Sequence, residues 1–171
     1  MNPAIYRRFV GMMDEKGEPV VWEPFAAPDG RSFRYFSCCN VALVAHSLVE
    51  GHPCMVRADS TEKGPAIGRV DGAIFHPPYF GSSLQSDDER DLSLVLDEDE
   101  YLKRLKASAG IVVENLSNRG IVCAVGRRYR YGGKEIRLDE WMVAAFCFGD
   151  LQVREVWISE PDVAIIVGSG D

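Results

Sequence analysis

No stretch of this chain reaches the roughly 18 consecutive apolar residues that a membrane-spanning helix requires. The opening residues, Met1 to Arg8, also lack the apolar core of a secretory signal, so a cytoplasmic location without membrane association is expected. Histidine is scarce, with three in 171 residues, and neither C-x2-C nor H-x3-H spacing occurs among Cys38, Cys39, His46, His52 and Cys54. Structural zinc sites rest on such close pairs, so no metal is expected. The five cysteines are odd in number, which argues for free thiols over a disulfide framework. No glycine lies between Asp87 and Glu100, where a calcium loop would need one for its central turn. Gly168-Ser169-Gly170 opens no helix and so makes no dinucleotide fingerprint, and no cofactor is expected.

What the chain does contain is an ordinary globular composition, 46% apolar and 26% charged, in a length that suits one domain over 1–171. Its net charge of -7 is concentrated. Between Asp87 and Glu100 eight acids stand against Arg90 alone, which equals the whole imbalance. Such a field disfavours general nucleic-acid binding and favours a basic protein partner. Asp97 and Glu100 read as a capping box that opens a helix over Glu98 to Ala109, closed at Gly110, so those acids complement a helix dipole. Asp87, Asp88, Glu89 and Asp91 have no such local role.

The segment Ile5 to Met13 reads as a short helix before a strand at Pro19 to Trp22. Ser32 to Phe36 alternates polar and aromatic residues as a half-buried strand would, and Val41, Val44, Ala45 and Leu48 fall on one face of a helix over Asn40 to Val49. Short strands are expected near Cys54 to Arg57, Ile67 to Val70 and Gly72 to His76, the last stopped by Pro77-Pro78. In the final third, Gly132-Gly133 and Gly149-Asp150 mark two hairpins, Gly120 to Leu138 and Trp141 to Ile158, before a last strand at Asp162 to Val167. The fold expected is α+β, an antiparallel β-meander sheet packed with two or three helices.

These residues suit two functions. The first is a non-enzymatic cytosolic binding domain, of the inhibitor or immunity-protein kind. In it Asp87, Asp88, Glu89 and Asp91, with Tyr79 and Phe80 on the adjoining loop, engage a basic partner. The second is a thiol-dependent hydrolase or acyltransferase. There Cys38 or Cys39, at a helix N-terminus that favours thiolate, is the nucleophile, His76 is the base, and Asn40, Asp59 or Asp71 orients it. The basic cluster Arg127 to Arg137, with Tyr129 and Tyr131 interleaved, reads as a soluble hairpin surface or as a complement to the acidic segment of a second copy.

Overall fold

Ile121, Cys123 and Val125 are buried on one side of a central strand, while Val122 and Ala124 are buried on the other. A strand with two dry faces needs a layer on each, and the chain supplies helices for both. The computed structural model describes residues 2–13, 17–37, 39–48, 52–60, 62, 64–66, 68–82, 88–147 and 151–169. Its first half comprises α1 (Pro3–Gly11), β1 (Val20–Glu23), α2 (Arg31–Phe36), β2 (Ala42–Ser47), β3 (Val56–Arg57) and β4 (Val70–Phe75). The second half comprises α3 (Glu98–Asn115), β5 (Leu116–Gly126), β6 (Arg128–Tyr131), β7 (Lys134–Arg137), α4 (Leu138–Phe146), β8 (Leu151–Ser159) and β9 (Asp162–Ser169).

Seven strands form one sheet in the order β3-β2-β1-β4-β5-β9-β8, and β6 and β7 form a separate ribbon. The first five strands are parallel, and β9 then runs antiparallel to both β5 and β8. The helices α1 and α2 supply Ile5, Phe9 and Phe36 to one layer, against Val21, Ile74 and Ile166. On the opposite layer, α3 and α4 bring Tyr101, Leu105, Val112, Met142 and Phe146 against Trp22, Phe75 and Ile165.

The antiparallel meander is therefore wrong: the sheet is mixed and mostly parallel. The helix expected over Asn40 to Val49 is absent from the described part, residues 40–48. The apolar spacing there also fits a strand, and pairing of Val20 to Ala42 and Trp22 to Val44 settles the segment as β2. Ser32 to Phe36 is conversely helical, with Ser32 and Phe36 buried four residues apart. Trp141 to Phe146 lies in α4, where Leu138, Met142, Ala145 and Phe146 make a buried helical face. Of the two hairpins, the Gly132-Gly133 turn is real but joins only β6 to β7. The strand β5 pairs instead with β4 and β9.

The helix opened by Asp97 is present, and its Oδ1 accepts from the Glu100 N–H at 2.8 Å. It does not stop at Gly110, because Ala109 and Val112 continue the buried face of Tyr101 and Leu105, which outweighs the roughly 1 kcal/mol cost of an internal glycine. Among the described residues no helix is long and apolar enough to cross a membrane.

Candidate active site

The crossover from β1 runs to β2 and β3 on one side, and the chain then returns to β4 on the other. The order of the sheet thus reverses between β1 and β4, and in parallel sheets a crevice opens at the carboxyl ends of the strands where this happens. A cavity of about 440 Å³ occupies that place. The segments leaving the strand ends build its wall: Glu23 to Pro28 from β1, Ser47 and Leu48 from β2, Ala58 to Ser60 from β3, His76 to Tyr79 from β4 and Arg127 from β5, with Asp162 from the start of β9.

The β1–α2 loop is pinned from two sides. Ala26 N–H donates to the His46 carbonyl at 2.8 Å, and the Ser60 hydroxyl donates to the Pro24 carbonyl at 2.7 Å. It ends at Gly30, whose φ of 62° lies in the left-handed region. A Cβ there would come within 2.6 Å of the His52 ring, so glycine is required on both counts. Ala26 and Ala27 keep the cavity wall low.

Glu23 terminates β1 and is only 3% exposed. Its Oε1 accepts from the Tyr6 phenol at 3.0 Å, and its Oε2 is buried without a well-formed hydrogen bond, the buried Ser32 hydroxyl lying close enough to favour its charged form. Burial raises its pKa above the usual carboxylate range. A buried, half-satisfied carboxylate facing a cavity is the complement of a cation.

On the other side of β1, His76 ends β4. Its Nε2 lies 3.0 Å from the Tyr79 hydroxyl, which donates to Asp162 Oδ1 at 3.3 Å. Burial pushes the His76 imidazole down to about 3, with the Arg127 charge acting in the same direction, so the ring is neutral at physiological pH. Tyr79 stacks on Tyr129 with centroids 5.6 Å apart, and the Arg127 guanidinium lies over the Tyr79 ring at 4.7 Å.

The candidate residues read from the sequence are dispersed. Cys38 and Asp87 lie outside the described residues. Cys39 lies just past the C-terminus of α2 and opens no helix, so the positive helix end expected beside it is absent, and its thiol donates to the Tyr35 carbonyl at 3.5 Å. Because β2 and β4 run the same way, Cys39 stands at the amino end of the sheet and His76 at the carboxyl end. A six-residue strand of about 3.3 Å per residue, roughly 20 Å, separates the two levels. The structure brings Cys39 and His76 to opposite ends.

The acids are tied up locally. Asp88 is held by Arg90 at 2.8 and 2.6 Å, which lowers its carboxyl to about 2. Asp91 is buried and accepts from the Ser93 N–H at 2.8 Å, capping a single 3-10 turn. Glu100 is paired with Lys103 and Arg104, whereas Glu89 is exposed. Phe80 is 5% exposed and packs edge-on against Tyr101, Tyr131 and Trp141, so it fills the core.

No protein-family model matches the chain, and no curated protein does. Among solved structures it is similar to TrmN from Thermus thermophilus, with a TM-score of 0.66 at 11% identity over 99% of this chain and 49% of that one. It is also similar to the Burkholderia thailandensis 1,6-didemethyltoxoflavin-N1-methyltransferase, solved with 1,6-didemethyltoxoflavin and S-adenosylhomocysteine. There the TM-score is 0.59 at 18% identity, covering 99% of this chain and 80% of that one. The fold is that of the Rossmann-like S-adenosylmethionine-dependent methyltransferases. N-methyltransferase NodS from Bradyrhizobium japonicum WM9 shares it, with a TM-score of 0.59 at 12% identity and 98% of both chains covered. The chain spans about half the length of TrmN. The expectation of a non-enzymatic inhibitor or immunity-type domain is contradicted, because the structures the chain resembles are named as methyltransferases.

Sequence reasoning misses Glu23 and the loop after it. The available signal is an apolar strand ending in an acid, with the turn-forming run Pro24 to Gly30 and a helix behind it. His76 and Tyr79 both stand out in the sequence, but for separate roles; the unit is His76-Pro77-Pro78-Tyr79 at one strand end.

Proposed function

We propose that this chain is an S-adenosylmethionine-dependent methyltransferase whose acceptor is an amine on a planar ring. The observation that supports it most is Glu23, a buried carboxylate with one oxygen lacking a well-formed hydrogen bond at the point where the strand order reverses. The residues present suit the donor. Glu23 would hold its ammonium group, Ser47 and Asp59 at the ends of β2 and β3 would meet its hydroxyls, and Ala26 and Ala27 leave it room. When bound, S-adenosylmethionine supplies a methyl group made electrophilic by a positively charged sulfur.

The chain's own residues then have distinct tasks. A charged imidazole would repel a cationic donor, and burial keeps His76 neutral. A base with a pKa near 3 is too weak to take an amine's proton at neutral pH, so His76 is no general base; its Nε2 holds the Tyr79 hydroxyl at the cavity wall. Pro77 and Pro78 have no N–H, and the Pro78 carbonyl accepts from the Tyr101 hydroxyl at 2.8 Å, so this segment brings no donor of its own to compete with a nucleophile's N–H. Phe25 and Pro77 give the cavity apolar walls for a ring. The proton released on methylation passes to water. A cytoplasmic setting belongs to the same proposal, supported by Cys39, Cys54, Cys123 and Cys147, which are all unpaired thiols.

The test is a calorimetric titration with S-adenosylhomocysteine. Saturable one-to-one binding is expected, weakened at least tenfold in Glu23→Gln, since the cation loses its charged partner. No binding to the unmodified protein, or equal affinity in both, would overturn the proposal.

A further inference from the structure

Three arginines line the cavity, Arg31, Arg90 and Arg127. Arg31 is held by Asp29 at 2.8 Å and Arg90 by Asp88 at 2.6 Å. The Arg127 side chain has no ion pair or hydrogen bond among the described residues, and its Nε is buried without a partner. Its sequence neighbour Arg128 makes the contrast, bonded to Asp139 at 3.0 Å and Glu140 at 3.1 Å. The Arg127 guanidinium lies over the Tyr79 ring at 4.7 Å, a cation–π contact. A ring face supplies no hydrogen-bond acceptor in line with the N–H, so Nε stays unsatisfied. Asp162, which also lines the cavity, accepts from the Tyr79 hydroxyl instead.

The position of this unpaired cation gives it a meaning. Because β4 lies between β1 and β5, Glu23 and Arg127 flank His76 from opposite sides. Toward β1 the cavity presents the buried Glu23 carboxylate, and toward β5 it presents the Arg127 guanidinium, with Asp162 beyond Tyr79. Resting on the methyltransferase reading, in which Glu23 holds the cationic donor, we propose that Arg127 binds an oxyanion carried by the methyl acceptor. A planar guanidinium fork suits a phosphate or a carboxylate, and either would give the buried Nε its missing acceptor. The acceptor is thus an anionic molecule or segment, bearing its amine near His76 and its charge near β5.

The experiment compares probes that carry a ring amine with and without an oxyanion: adenosine 5′-monophosphate against adenosine, and 4-aminobenzoate against aniline. Affinities are measured with and without saturating S-adenosylhomocysteine, for the unmodified protein, Arg127→Gln and Arg127→Lys. The unmodified protein is expected to prefer one anionic probe over its neutral counterpart at least tenfold. Arg127→Gln should abolish that preference, Arg127→Lys should keep part of it, and S-adenosylhomocysteine affinity should stay unchanged in both, which also shows that the variants fold. Whichever pair shows the preference identifies the oxyanion as phosphate or carboxylate. The proposal is overturned if neither pair shows it, if Arg127→Gln retains it, or if Arg127→Gln weakens S-adenosylhomocysteine instead, since Arg127 would then hold the donor's carboxylate. Absence of S-adenosylhomocysteine binding to the unmodified protein is the separate failure of the methyltransferase reading, and the arms without it still report on Arg127.

Discussion

Tyr6, in the first helix, donates its phenol hydrogen to Glu23 at the end of β1 across 3.0 Å, both groups being buried. The bond ties α1 to the cavity wall and favours the charged form of Glu23, against the desolvation that raises its pKa. Tyr6→Phe removes the donor and leaves the carboxylate still less satisfied. The expected loss of stability is about 1–3 kcal/mol, read from denaturant unfolding. Donor binding needs ionised Glu23, so affinity falls as pH drops through its raised pKa. In Tyr6→Phe that fall should begin at a higher pH, and S-adenosylhomocysteine titrations across pH would show it. An unchanged midpoint would remove Tyr6 from the account.

His76 makes stability depend on acid. Its folded-state pKa of about 3 lies below the ordinary value of 6.5, so between those limits the unfolded chain binds a proton that the folded chain does not. Stability is full above about pH 6.5 and declines as pH falls toward 3, at a limiting slope of about 1.4 kcal/mol per pH unit. His46, lowered by burial too, acts in the same direction. Urea midpoints at pH 5 and 7 should differ less in His76→Gln than in the unmodified protein. Equal differences would mean that His76 is not buried neutral.

Gly30 tests the loop that shapes the cavity. With φ at 62° and the His52 ring 2.6 Å from an added Cβ, Gly30→Ala meets both backbone strain and a clash. A loss of at least about 1 kcal/mol is expected from the backbone alone, with weaker S-adenosylhomocysteine binding as the loop shifts. Unchanged melting temperature and affinity would contradict the loop geometry.

Some of this architecture is legible in the residues. Asp97 with Glu100 announces α3, Gly132-Gly133 announces a turn, and Asp162 to Val167 forms a strand as expected. The parallel sheet is not legible, because strands dry on both faces lose the alternation that marks a strand, and short apolar runs then fit a helix equally well. Val41 to Leu48 is a short apolar run of this kind, and its pairing with β1 and β3 decides the matter. The acidic surplus is visible as a sum, but a sum does not reveal that Asp88 is clasped by Arg90 or that Asp91 is buried in a cap. His76, Tyr79 and Arg127 are each conspicuous; what brings them together is the sheet order, which no local pattern encodes. Glu23 carries no local signal beyond its place after an apolar strand.

The most direct measurement is a crystal structure with S-adenosylhomocysteine. The account predicts the ligand in the cavity at the carboxyl ends of β1, β2 and β4, with its amino group against Glu23 and its sulfur on the side of His76. A ligand bound elsewhere, or in the cavity with Glu23 untouched, would contradict it.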